Sequence, residues 1–263
     1  MRTLLVFGML SVSLPGQDTA LEHSRQVNME RATNIPNFVA DEVVTHYVSR
    51  PNGGRADATN WEHDFTVEDE IRVRGNQVSR DRVRRNGKAW DGVIRGLPAT
   101  GFGAALKPLF DPQCPTTLDF AGDGQMRGKV ALVYRFRSPA DGCFGNLYGG
   151  RDVRWAYNAA RTGRIFVDGP SGDVLQFEEE ATGFPAGFSF IQRNQVMIWD
   201  FVKTGDVSHW LPVSADFSWR MGDGSLTRVA AVYKNHRHFE AATNVTFQEA
   251  AWPRLRVFRL QEP

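Results

Sequence analysis

Two histidines set two positions apart, His236 and His238 in AVYKNHRHFEAATNVTF, are the first residues of this chain whose type and spacing could do chemistry. On a β-strand, residues two apart point to one side, so both rings could reach a single ion. A zinc site needs at least a third protein ligand and a partner for each imidazole. His209, in VSHWLP, is the candidate third ligand. The neighbours weigh against that reading. Val232, Lys234, His236 and His238 fall on one strand face, and Ala231, Tyr233, Asn235, Arg237 and Phe239 on the other. Neither face is purely dry, which suits a strand near the open rim of a curved sheet. The histidines are therefore expected to be structural, with no metal bound.

Other constellations are weaker still. Glu178-Glu179-Glu180 alternates sides along a strand, whereas an acid–base pair must face itself across a cleft, so the run reads as a solvated strand end. No Gly-x-Ser-x-Gly elbow, His-Glu-x-x-His, Cys-x-x-Cys or phosphate-binding Gly-Lys-Ser/Thr occurs. GFGAAL, from Gly101, lacks the third glycine and the preceding strand of a dinucleotide fingerprint. AGDGQMRG (Ala121 to Gly128) has too few carboxylates for a calcium loop and reads as a turn. A non-enzymatic protein without a cofactor is expected.

Charge excludes one partner class. The chain carries 31 basic and 30 acidic residues, a net charge of +1. The local arginine cluster from Arg72 to Lys88 is flanked by acids and reads as a solvated strand face, so no nucleic-acid partner is expected. In MRTLLVFGMLSVSLPGQ, a single Arg2 precedes an apolar stretch from Leu4 to Leu14. That stretch is too short to span a bilayer and suits a secretory signal peptide over residues 1–16. No cysteine follows it to take a lipid anchor, and no later run reaches membrane-spanning length. A periplasmic or secreted protein, not an integral membrane protein, is expected. In such an oxidising compartment Cys114 and Cys143, in the turn-rich DPQCPTT and ADGCFGN, are expected to pair.

The elements that must position these residues follow from periodicity. Asp18 to Phe38 reads as a helix, with Leu21, Ser24, Val27 or Asn28, and Met29 to Ala32 along one side and Ile35-Pro36 as its stop. The pattern then changes to period two. In WEHDFTVEDEIRVRG, Phe65, Val67, Ile71 and Val73 alternate with charged residues, and Asp69 is the misfit on the dry side. Similar runs recur to TNVTFQE, separated by turns such as Asn86-Gly87 and Gly222-Asp223-Gly224. A short inserted helix is expected over TGFGAALKPLF, Thr100 to Phe110. The fold class read here is α+β and β-dominated: a large curved antiparallel sheet, an incomplete barrel, wrapping the N-terminal helix and the inserted helix. Residues 17–263 form its single domain, with a C-terminal tail from about residue 250.

The second half carries a recognisable layout. The hairpin GRIFVDGPSGDVL (Gly163 to Leu175) precedes a strand ending in Leu211-Pro212, and a last strand runs from Tyr233 to Phe239. This order resembles a group of secreted proteins from soil bacteria of the Acidobacteria type. More distantly it resembles the LolA-like lipoprotein-carrier superfamily of periplasmic half-barrels. The resemblance covers most of residues 20–247 and leaves out the tail AAWPRLRVFRLQEP. It implies a half-barrel whose apolar concavity binds a hydrophobic small molecule, a lipid or acyl chain, with no catalytic residue to transfer. The related sequences commonly have Tyr-Arg where this chain has His236-Arg237, which again implies a structural position. The inward-facing candidates are Phe65, Val67, Ile71, Val73, Leu132, Tyr134 and Phe136. The alternative is a cell-envelope interaction module with a filled interior and an envelope protein as partner.

Overall fold

A computed structural model describes residues 15–51, 56–75, 77–92, 103, 105–149 and 155–239. The expected signal peptide therefore lies almost wholly outside the described residues, as do the TNVTFQE run and the tail. Helix α1 spans Pro15–Thr33. It ends before Ile35-Pro36, and Phe38 already belongs to the first strand. Of the expected inserted helix, the described part is one turn, α2 (Lys107–Phe110).

The strands are β1 (Phe38–Ser49), β2 (Glu62–Arg74), β3 (Gln77–Arg85), β4 (Lys88–Ala89), β5 (Thr117–Met126), β6 (Lys129–Ser138), β7 (Leu147–Gly149), β8 (Trp155–Tyr157), β9 (Ala160–Asp168), β10 (Val174–Thr182), β11 (Phe190–Thr204), β12 (Val207–Met221) and β13 (Leu226–His238). Eleven of them form one antiparallel sheet in the order β4-β3-β2-β1-β13-β12-β11-β10-β9-β6-β5, and β7 and β8 pair separately. The large sheet does not close, because β4 and β5 are its two edges. Most neighbours are sequential hairpins. The longest return brings β13 to the free side of β1, where Ser49 pairs with Leu226 and Phe38 with His238.

One face of this curved sheet is dry, and both helices lie on it. Phe38, Ala40 and Val44 of β1, Val67 and Ile71 of β2, Ala231 and Tyr233 of β13, Trp199 of β11 and Phe177 of β10 join Leu106, Leu109 and Phe110 in one cluster. Leu21 and Met29 of α1 pack against it. Glycine is required at one point of this face. A Cβ on Gly163 would collide with the Glu178 carbonyl and with the ring of Phe136, its cross-strand partner. The aromatic ring thus fills the space that the glycine leaves.

Two local expectations are corrected. Ala121–Gly128, read as a turn, lies mostly in β5, and the reversal is confined to Arg127 and Gly128, at φ 51° and 80°. The faces of β13 do not alternate to its end. Asn235, at φ 52°, is an extra residue where the pairing with β1 shifts between Val39 and Asp41. Such a bulge resets the pleat, so His236 comes against Phe38, ring centres 5.6 Å apart.

Candidate functional site

The seven inward-facing candidates occupy two strands near opposite edges of the sheet. Val67, Ile71 and Val73 of β2 are 0% exposed, and Tyr134 and Phe136 of β6 are 1% exposed. Phe65 and Leu132 are half-buried and pack against the same cluster. All seven thus belong to or pack against the buried apolar cluster. Phe65 sits at the rim, its ring 4.0 Å from the ring of His46 and 3.8 Å from the Arg85 guanidinium. Phe136 stacks with Phe177 and Phe144 at 5.5 and 5.8 Å, so an aromatic wall continues from β6 across to β10.

Three polar groupings are set into this apolar interior. The first fastens α1. Asn28 Nδ2 donates to the carbonyls of Gly172 (2.8 Å) and Ser24 (2.7 Å), and its Oδ1 accepts the Val174 N–H (3.0 Å). Ser24 Oγ also donates to Gly172 O, and Arg31 Nε lies 3.0 Å from Asp173. Gly172 adopts φ +75°, which presents its carbonyl to the helix, and a Cβ there would press on His23. The helix is thus tied to the β9–β10 turn by polar bonds, alongside the apolar contacts of Leu21, Met29 and Ala32 with the core.

The second lies between β1, β2 and β3. Glu42 and Asp69 are cross-strand partners, and both are buried. Arg80 Nε sits 2.9 Å from Glu42 and 3.4 Å from Asp69, one guanidinium between two carboxyl groups. Burial, and then the neighbouring Glu42 charge, push the Asp69 carboxyl up to about 8. The Tyr233 phenol beside them is raised well above its usual value, mainly by burial. The alternation of β2 marks Asp69 as a misfit, but nothing local shows that Glu42 shares the site or that Arg80 leaves the solvated face. A charged pocket of about 380 Å³ adjoins these strands, lined by Asp41, Glu42, Glu68, Asp69, Glu70, Arg82, Arg84 and Lys234 among others. Glu70 there is held below the usual carboxylate range, chiefly by its hydrogen bond to Arg82.

The third corrects the reading of the glutamate run as a solvated strand end. Glu179 is 5% exposed, and its Oε1 accepts from Arg161 Nη1 (2.8 Å) and Arg193 Nη1 (2.7 Å). Arg161 also donates to the Gly145 carbonyl, and Arg193 to Gln195 Oε1. Their guanidinium groups lie 5.1 Å from the ring of Phe144 and 5.4 Å from that of Phe217. Burial, opposed by Glu179 but aided by the Arg161 charge, lowers the Arg193 pKa. Cys114 and Cys143 form a disulfide, Cα atoms 5.6 Å apart, which ties the segment after α2 to the loop carrying Phe144 and Gly145.

The histidines are brought together only in part. His236 Nε2 lies 3.1 Å from the Pro212 carbonyl, and burial lowers its pKa. Pro212 sits beside the irregular pairing of β11 and β12, where a missing N–H is tolerated. His209 stacks on His238, ring centres 5.4 Å apart. Among the described residues, no three His, Cys, Asp or Glu side chains are placed to hold a metal ion. No described helix is long and apolar enough to cross a membrane.

No protein-family model matches the chain, and no curated protein does. Among solved structures it is similar to a DUF1329 family protein from Desulfovibrio piger, at 8% identity and TM-score 0.41, over 89% of this chain and 98% of that one. It is similar to a domain from Vibrio parahaemolyticus described as an outer membrane lipoprotein-sorting protein, at 10% identity and TM-score 0.42, over 86% and 95%. It is also similar to a LolA superfamily protein from Nitrosomonas europaea, at 9% identity and TM-score 0.30, over 87% and 95%. The LolA superfamily named from the sequence is represented among these structures. At these identities and TM-scores the likenesses carry no argument about ligand or activity.

Proposed function

We propose that the protein is a non-enzymatic carrier that works outside the cytoplasm. It holds a hydrophobic ligand, a lipid or acyl chain, between the curved sheet and its helices. The observation that supports this reading is how the apolar face is covered. Among the described residues, one helix and one helical turn join the cluster that runs from Val67 and Ile71 on β2 to Tyr134 and Phe136 on β6. The longer helix is fastened by Ser24, Asn28 and Arg31 to a single turn. Polar fastenings of this kind exchange with water at little net cost, about 0.5–1.5 kcal/mol each, whereas uncovered apolar area costs about 25 cal/mol per Å². A lipid chain that replaced the helix over the cluster would keep that apolar area out of water, and the helix could bond to water instead. The sequence resemblance to secreted half-barrels supports the same reading.

The second reading, an envelope module that binds a protein, is favoured by the near-complete burial of Val67, Ile71, Val73, Tyr134 and Phe136. Native mass spectrometry of the protein exported with its own N-terminal segment separates the two. A mass excess that organic extraction removes, and that proves to be lipid, is the expected result. A bare mass, together with no uptake of lipid from vesicles, would leave the interaction module in place of the carrier.

A further inference from the structure

Among the described residues, the buried charges of the interior do not balance. Glu42, Asp69, Glu70, Asp173 and Glu179 are the buried acids among these residues. Glu70 lines the charged pocket and meets Arg72, Arg82 and Arg237. Asp173 has Arg31, and the Glu42–Asp69 pair has Arg80 together with the proton that Asp69 retains up to about pH 8. Glu179, on the inner face, meets two guanidinium groups, and both converge on its one oxygen Oε1. The side chains of Arg161 and Arg193 are only 3% and 11% exposed, and Arg161 Nε is buried without a hydrogen-bond partner. A positive charge left over in an apolar setting is costly unless an anion joins it.

The surroundings indicate what kind of anion. Arg161 lies at the start of β9, against Phe144 and Gly145 of the disulfide-tied loop, at the opposite end of that strand from the turn that fastens α1. Phe144 stacks on Phe136, and Phe136 and Tyr134 continue the apolar wall along β6. A charged anchor at the base of an apolar wall suits an amphiphile better than a small ion.

We propose that the ligand of the interior is an amphiphilic anion whose terminal carboxylate or phosphate oxyanion accepts hydrogen bonds from Arg161 and Arg193, its chain lying along Phe136 and Tyr134. This rests on the carrier reading above and adds the headgroup to it. The proposal is tested on the full chain by fluorescence titration with palmitate, methyl palmitate and acetate, for the wild type and for Arg193→Met. That variant leaves Glu179 paired with Arg161, and near-UV circular dichroism checks its fold. The expected result is palmitate binding about ten-fold or more tighter than its methyl ester, with the preference gone in Arg193→Met while ester binding persists. Equal binding of acid and ester would overturn the headgroup and leave the carrier standing. Binding of acetate as tight as palmitate would make this a small-anion site and overturn the amphiphile. Failure of all three to bind would overturn the carrier reading and the headgroup with it. If Arg193→Met does not fold, Arg193→Lys serves in its place. It keeps the charge but not the planar fork, and an unchanged acid preference would then sink the headgroup contact of Arg193.

Discussion

At the residue scale the interior is governed by how each buried charge is matched. Asp69 has a folded-state pKa of about 8 against a reference of 3.8, so between those values the native protein binds more protons than the unfolded chain. Its contribution to stability is therefore fully present below pH 3.8, declines as pH rises and is lost beyond about pH 8. Asp69→Asn removes the titration, so its midpoint of thermal unfolding should fall less than that of the wild type between pH 5 and pH 9. Parallel curves for the two proteins would contradict this. Glu179→Gln should cost about 3–5 kcal/mol in urea unfolding, because it leaves two buried guanidinium groups without their carboxylate. Arg193→Met should cost clearly less, since a one-to-one pair with Arg161 remains. These sites were only partly legible in the sequence. Asp69 breaks an apolar alternation and can be flagged, but Glu179 sits in a run of three identical residues and its burial depends on what β9 and β11 bring to it.

At the element scale, α1 is the piece whose attachment differs from the rest. Asn28→Ala removes the acceptor of the Val174 N–H and two donated bonds. It should lower stability by about 1–3 kcal/mol, the cost of one buried orphan donor. If α1 is the cover that a ligand displaces, the same variant should speed ligand entry in a stopped-flow exchange. Unchanged exchange in a destabilised Asn28→Ala protein would mean that the ligand path lies elsewhere. The helix and the long strands were readable because their apolar periods persist over many residues. The bulge at Asn235 was not, since one extra residue leaves the local composition unchanged and alters only the register against β1.

At the scale of the whole molecule, the Cys114–Cys143 bridge joins two loops 29 residues apart, on either side of the β5–β6 hairpin. Loop-closure entropy puts the bridge at about 3–4 kcal/mol, so reduction or Cys143→Ala should shift the urea midpoint down by a corresponding amount. No shift on reduction would show that packing alone holds the loop. The same loop supplies Phe144 and Gly145 to Arg161, so reduction should also weaken palmitate binding more than methyl palmitate binding.

The sequence by itself determined most of the elements and the faces of strands such as β2, because alternation of apolar and polar residues is a local property that such a strand carries alone. From this followed the β-dominated class, the helix stop before Ile35-Pro36 and the inward set from Phe65 to Val73. Only the tertiary structure decided which charges share the interior. The partners of Glu179 stand 18 and 14 residues away in sequence, and Arg80 lies 38 residues from Glu42. Their meeting depends on strand order, register and curl, which are set by the burial of the whole sheet and not by any single segment.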